Sequence, residues 1–233
     1  MTKTAIITAA SSGIGLGAAQ TLAAEGWQLV LMSRSEAVES VARDLGATAL
    51  RGDVTNPDDL AALVDLAVQR HERIDGAVIN TGHAPKGEIL EIPGEDWHAG
   101  LDMVLMPTVR MVSLLAPMFA AQKSGAMVAV SSFAAREPDL AYPLSTVFRA
   151  ALASYLKLCV ARHGDEGWRI NAVLPGFMDN YAAQEASLAR IPAARHGKVA
   201  DELGSTIAFL LSAGAGYING QGILVDGGLS RAL

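Results

Sequence analysis

The stretch Thr8-Ala9-Ala10-Ser11-Ser12-Gly13-Ile14-Gly15 lies between an apolar run, Ala5 to Ile7, and a segment in which Ile14, Ala18, Ala19, Leu22 and Ala23 recur at helical spacing. Strand, glycine-rich turn and helix in that order present backbone N–H groups and a positive helix end to a pyrophosphate. Small side chains are needed there because a β-carbon would hold the phosphate off the backbone. Outward from this turn, short apolar runs alternate with helical segments, the pattern of repeated βα units on a mainly parallel sheet. Strands are predicted near Thr4 to Ala9, Gln28 to Ser33, Thr48 to Arg51, Gly76 to Asn80, Ala126 to Ser131, Arg169 to Leu174 and Gly222 to Val225. A helix is predicted over Pro57 to Arg70, with Asn56 as N-cap and Leu60, Leu63, Val64, Ala67 and Val68 forming its apolar stripe. Another begins between Tyr142 and Thr146, ends near Gly164, and carries Val147, Ala151, Tyr155, Leu158 and Cys159 on one face. The expectation is a single-domain α/β chain, residues 1–233, with a Rossmann-type doubly wound sheet of about seven mostly parallel strands and helices on both faces.

Composition narrows the partners. Apolar residues make up 51% of the 233 and aromatics only 5%, so Ala, Val, Leu and Ile must pack helices closely on the sheet. A net charge of −6 and the lack of any Lys/Arg cluster argue against nucleic acid. Cys159 is the only cysteine, which excludes an internal disulfide and a cysteine zinc site and fits a reducing cytoplasm. No clustered His and carboxylates suggest a metal, so a metal-dependent hydrolase is set aside. The N-terminus enters the first strand directly, and Leu101 to Ala121 is interrupted by Asp102, Pro107, Arg110 and Pro117; neither predicts a membrane segment.

Ser33 and Arg34 close the second predicted strand, where such folds select their nucleotide. An acid there would accept the ribose hydroxyls of NAD, whereas Arg can clamp a 2′-phosphate. NADP(H) is therefore the preferred cofactor, with NAD(H) as the alternative.

Taken together, these features resemble the short-chain dehydrogenase/reductase family over nearly the whole chain. The family's phosphate loop corresponds to TAASSGIG, with Ala9 in place of its first Gly and Thr8, Ala10, Ser11, Ser12, Gly13 and Ile14 around the cofactor. Asp53-Val54 matches the pair beside the adenine, and Asn80-Thr81-Gly82 the turn after the fourth strand. Asn171, Pro175-Gly176, Gly220-Gln221 and Asp226-Gly227-Gly228 match downstream motifs. The resemblance implies a catalytic Asn-Ser-Tyr-Lys tetrad, but here Ser132 alone is kept. Ser145 stands at the Tyr position, Arg149 at the Lys position in Arg149-Ala150-Ala151-Leu152, and Val104 at the Asn position. Arg149 keeps a positive charge beside the nicotinamide ribose but cannot deliver a proton at neutral pH, and Ser145 is a poor general acid. Tyr142, three residues before Ser145, is a candidate replacement if it shares a helical face with it. His83, after the Asn80-Thr81-Gly82 turn, is another group able to move a proton.

The pattern is similar to that of a divergent branch related to 3-oxoacyl-carrier-protein reductases but lacking their Tyr and Lys. By the same resemblance, residues 177–198 form a lid over the substrate, with Phe177, Met178, Tyr181 and Leu188 giving it an apolar face and Asn180 contacting the nicotinamide carboxamide. The expected activity is NADP(H)-dependent oxidoreduction of a small carbonyl/alcohol pair, with Ser132 and Ser145 polarising the oxygen, Arg149 holding the cofactor, and water supplying the proton. The rival expectation is a catalytically silent NADP(H)-binding protein or partner subunit. Relatives pair through the helix containing Ala151 to Cys159 and through the C-terminal segment, so a homodimer or homotetramer is implied, or a hetero-oligomer with a homologue; the tail Tyr217 to Leu233 is apolar enough to take part.

Overall fold

The computed structural model describes residues 2–231, and among these seven strands form one sheet: β1 Thr4–Thr8, β2 Gln28–Ser33, β3 Thr48–Arg51, β4 Gly76–Ile79, β5 Gly125–Val130, β6 Trp168–Pro175 and β7 Gly222–Val225. Each predicted strand is present with its ends within one residue. All pairings are parallel, in the order β3-β2-β1-β4-β5-β6-β7. The chain leaves β1 toward β2 and later returns to its other side as β4, so the turns after β1 and β4 part and open a crevice at the strand ends.

The helices are α1 Gly13–Ala24, α2 Ala37–Leu45, α3 Pro57–His71, α4 Gly94–Val104, α5 Met106–Gln122, α6 Pro143–His163, the single turn α7 Glu185–Leu188, and α8 Ser205–Leu211. The central strands are buried on both faces, the edge strands β3 and β7 only partly, and their alternation feeds two cores. Ile6, Ile79, Met127 and Ala129 pack with α3, α5 and α6, whereas Ile7, Val78 and Val128 pack with α1 and α8. Helix α3 is capped as its sequence demands, the Asn56 side chain accepting from the Asp58 amide 3.0 Å away.

One expectation needs correction. Pro107 and Pro117 do not break the apolar stretch. Pro107 falls in the first turn of α5, where no amide is needed, and Pro117 sits inside a helix that continues. Gly94–Gln122 and Pro143–His163 are in fact long and apolar enough to cross a membrane by length and composition. The first is α4 and α5 joined at Leu105, and Met111, Leu115 and Phe119 of α5, like Leu152 and Leu156 of α6, are buried in the layer on the sheet. Helix α6 turns Leu144, Arg149, Leu152, Leu156 and Cys159 to the core, so that of the stripe read from its sequence Cys159 is buried while Val147 and Leu158 point out, 43% and 70% exposed. Residues 232–233 of the C-terminal tail lie outside the described residues.

Candidate active site

The turn after β1 is shaped by two tight positions. Gly13 has φ 53°, and a β-carbon on Gly15 would lie 2.2 Å from the Ala9 carbonyl oxygen. Ser12 precedes α1 with no side-chain cap, so the first amides of the helix stay available. Thr8 is fully buried behind this loop. Its hydroxyl donates to the Asn80 carbonyl at 2.6 Å and accepts from the Asn80 amide at 2.9 Å, clamping the ends of β1 and β4 beside the crevice. Asn80 also donates from Nδ2 to the Ala9 carbonyl, 3.3 Å away. Thr8 and Asn80 thus shape the cradle from behind, and Thr81 and Gly82 continue from it.

At the end of β2, Ser33 is buried and its hydroxyl is 2.8 Å from that of Ser11. Arg34 is mostly exposed, with one guanidinium nitrogen 3.6 Å from Asp53. Asp53 in turn accepts from the amide and hydroxyl of Thr55, and Val54 beside it is buried. An open helix end, a cradle that a β-carbon would fill, and a mostly exposed Arg34 following Ser33 rather than an acid at the tip of β2 fit a dinucleotide carrying a 2′-phosphate. Pro175 closes β6, and the Gly176 amide bonds the Val225 carbonyl, while Asn171 is spent on the loop before β7, bonding Ile218 and Gln221.

Ser145 and Arg149 do meet. The Arg149 Nε donates to Ser145 Oγ at 2.9 Å and one Nη donates to the Val130 carbonyl at 2.7 Å, tying the first turn of α6 to the end of β5. The guanidinium is buried, no carboxylate reaches it among the described residues, and burial lowers its pKa to about 10. Both of these bonds go to protein groups. Ser132, the residue after β5's short extension, accepts the Ala134 amide at 3.2 Å and makes no hydrogen bond to Ser145 or Arg149. At the family's Asn position Val104 fills a small apolar cluster with Ala84 and Leu144.

Tyr142 is not on the helix with Ser145. It is the N-cap residue of α6, with φ −140° and ψ 55°, held out of helical backbone by the following Pro143, and its ring centroid lies 4.6 Å from the Lys86 ammonium. Residues 177–198 leave β6 and return, pinned where Met178 pairs with Gly197 and where the Asp179 carboxylate accepts the Val199 amide. Asn180 Nδ2 would be 3.3 Å from a β-carbon on Gly13, so this segment touches the phosphate loop. Arg190 reaches across to Asp139 at 2.9 Å; against the upward push of partial burial, the Ala141 amide and then Arg190 hold the Asp139 carboxyl below its ordinary pKa. Beside Asn180, the Tyr181 hydroxyl is 2.5 Å from His83 Nε2. Partial enclosure, then the charges of Arg149 and Lys86, hold the His83 pKa below its ordinary value. Sequence reasoning had Tyr181 only as apolar lining. The two residues are 98 apart, and no spacing signals their contact.

Residues 8–230 match a family described as Enoyl-(Acyl carrier protein) reductase. The 3-oxoacyl-[acyl-carrier-protein] reductase of Staphylococcus aureus is 30% identical over 245 residues, covering 98% of both chains. Escherichia coli "Oxidoreductase UcpA" is 30% identical, covering 97% of this chain and 94% of that one. Among solved structures, L-sorbose reductase from Gluconobacter frateurii, complexed with NADPH and L-sorbose, superposes with a TM-score of 0.89 at 29% identity, covering 100% and 98% of the two chains. YwfH, an NADPH-dependent reductase involved in bacilysin biosynthesis, gives 0.93 at 24% identity over 100% of both, a likeness of fold.

Proposed function

This chain belongs to the short-chain dehydrogenase/reductase family, and on that premise we propose that it is an NADP(H)-dependent oxidoreductase acting on a small carbonyl/alcohol pair through an altered active site. The carrying observation is that both candidate serines accept a hydrogen bond from the protein. Ser145 Oγ accepts from Arg149 Nε and Ser132 Oγ from the Ala134 amide. Each hydroxyl hydrogen is thereby left free to donate to a substrate oxygen. The buried Arg149 cation strengthens Ser145 as a donor and opposes the negative charge that develops on that oxygen.

Ser11, Ser12, Gly13 and Ile14 would hold the pyrophosphate, Arg34 with Ser33 the 2′-phosphate, Asp53 and Val54 the adenine, and Thr81, Gly82, Pro175, Gly176 and Asn180 the nicotinamide half. When bound, NADPH supplies the hydride for the carbonyl carbon. The preference for NADP(H) over NAD(H) is supported by Arg34 and by the NADPH in the sorbose reductase relative. Residues 177–198 serve as the lid over the substrate, the outward face of α6 as a pairing surface for a homodimer or homotetramer, and the buried free thiol of Cys159 suits the cytoplasm.

Titration of the pure protein with NADPH and NADH, followed by tryptophan quenching, tests the cofactor, and NADPH oxidation with a carbonyl panel tests the reaction. NADPH is expected to bind more tightly. Turnover should fall by roughly 100-fold in Ser132→Ala, the usual effect of removing one oxyanion donor. The absence of a phenol at Ser145 favours a second reading, a silent NADP(H)-binding protein or partner subunit of a homologue. Tight NADPH binding with no turnover on any carbonyl would select it.

A further inference from the structure

We propose that Tyr181, held by His83, donates the proton to the substrate oxygen, a role that the family gives to a helix tyrosine and that this chain moves to the segment 177–198. The inference rests on the oxidoreductase reading of the same site. Its ground is a contact between two elements that meet only over the crevice. His83 follows the Asn80-Thr81-Gly82 turn at the end of β4, and Tyr181 follows Asn180, which lies against Gly13 of the phosphate loop. Between them Nε2 and Oη are 2.5 Å apart, with ring centroids at 6.0 Å and planes tilted by 55°. No other tyrosine of the site is so placed, since the Tyr142 ring is engaged by Lys86 and its hydroxyl has no hydrogen bond among the described residues.

Three groups face His83: Tyr181 from the lid, Arg149 from α6 and Lys86 from its own loop. Both cations favour neutral imidazole, which suits a residue that must accept and return a proton. In reduction, the carbonyl oxygen becomes negative as the carbon gains the hydride. The Tyr181 O–H bond breaks as an O–H bond forms on that oxygen, and the phenolate takes a proton from protonated His83 Nε2. His83, exposed on its outer side, reloads from water. In oxidation the same protons run backward: neutral His83 takes the proton of Tyr181, and the phenolate takes that of the alcohol. Tyr181 is the catalytic residue and His83 acts through it.

The test compares wild type, Tyr181→Phe, His83→Gln and Tyr142→Phe in NADPH titration and in NADPH oxidation with acetoacetyl-CoA, L-sorbose and 9,10-phenanthrenequinone as probes. Tyr181→Phe is expected to bind NADPH as wild type does but to lose roughly 100-fold or more in kcat, the range for a general acid. His83→Gln should lose less and flatten the limb of the pH profile that lies below the ordinary histidine range. In the nucleotide-free protein, NMR titration of the His83 imidazole should shift its midpoint when Tyr181 becomes Phe. Wild-type turnover in Tyr181→Phe, loss confined to Tyr142→Phe, or a His83 titration indifferent to Tyr181 would overturn the proposal and leave the oxidoreductase reading standing. A wild type that binds NADPH yet reduces none of the probes would overturn both.

Discussion

Ala9 stands where the family's loop has its first glycine, and its φ of 49° is a left-handed conformation that costs an alanine roughly 1 kcal/mol. Ala9→Gly should relieve that strain and raise Tm by roughly 2–4 °C for a chain of this size, read by differential scanning calorimetry. An unchanged or lower Tm would mean that the alanine's smaller unfolded-state entropy outweighs the strain. Arg149 makes the opposite case. Its folded pKa, lowered by burial to about 10, lies below that of the free side chain, so the unfolded chain binds the extra proton. The cost of burying the charge is therefore in force below about pH 10 and eases as pH rises from there toward the ordinary guanidinium range. Arg149→Met removes this cost but leaves Ser145 and the Val130 carbonyl without a donor, at about 1–3 kcal/mol for each group left unpaired. The two effects oppose each other. Thermal stability should change by only a few degrees while kcat falls roughly 100-fold as for a lost oxyanion donor, a split that a stability assay beside a turnover assay resolves.

The segment 177–198 ends on a carboxylate that holds its hinge. Glu202, on the π-helical turn Val199–Gly204 before α8, accepts from both Arg195 Nη atoms and from the Lys198 amide, and these bonds, Arg195 first, bring its pKa down to about 2. A depressed carboxylate contributes stability that is present above its ordinary 4.5 and lost as pH falls through 2. The pair is exposed, so its effect is local. Hydrogen exchange across residues 177–198 should quicken between pH 4.5 and 2, and Glu202→Gln should reproduce that at pH 7. Exchange unaltered in Glu202→Gln would release the hinge from this role. None of this was legible in the sequence, because Arg195 and Glu202 gain meaning only when the chain turns at Gly197. The strands, by contrast, were readable to within one residue, since a fully buried parallel strand must be a short apolar run bounded by Gly or polar residues. For helix α6 the stripe was readable but not its direction. Val147, Ala151 and Leu158 form a true apolar stripe, but periodicity reports that a stripe exists and not which side the sheet lies on.

On the scale of the whole molecule, the order β3-β2-β1-β4-β5-β6-β7 is the doubly wound arrangement that repeated βα units behind a glycine-rich first turn lead one to expect, which is why the fold was legible from the start. The site was legible only where one element supplies it. The phosphate loop and the Ser145–Arg149 pair, one helical turn apart, could be found by spacing; the His83–Tyr181 contact needs the closed sheet to exist. Exposed apolar side chains are scattered over several elements, among them Leu90, Leu140 and Tyr217, whereas α6 presents them as a stripe on one helix face. Leu158 is 70% exposed and Val147 43%, next to the exposed Ala151. In an isolated subunit Leu158→Glu should change stability by no more than about 0.5 kcal/mol, as for an ordinary surface position. In a subunit paired through this face the same change buries an unpaired charge at the contact and should separate the copies. Sedimentation velocity decides between these. The wild type is expected at a multiple of the 24.2 kDa chain mass and Leu158→Glu at the mass of one chain, with NADPH affinity retained because the crevice lies at the strand ends. A wild type that sediments at one chain mass, or a Leu158→Glu variant that stays assembled, would take α6 out of the interface.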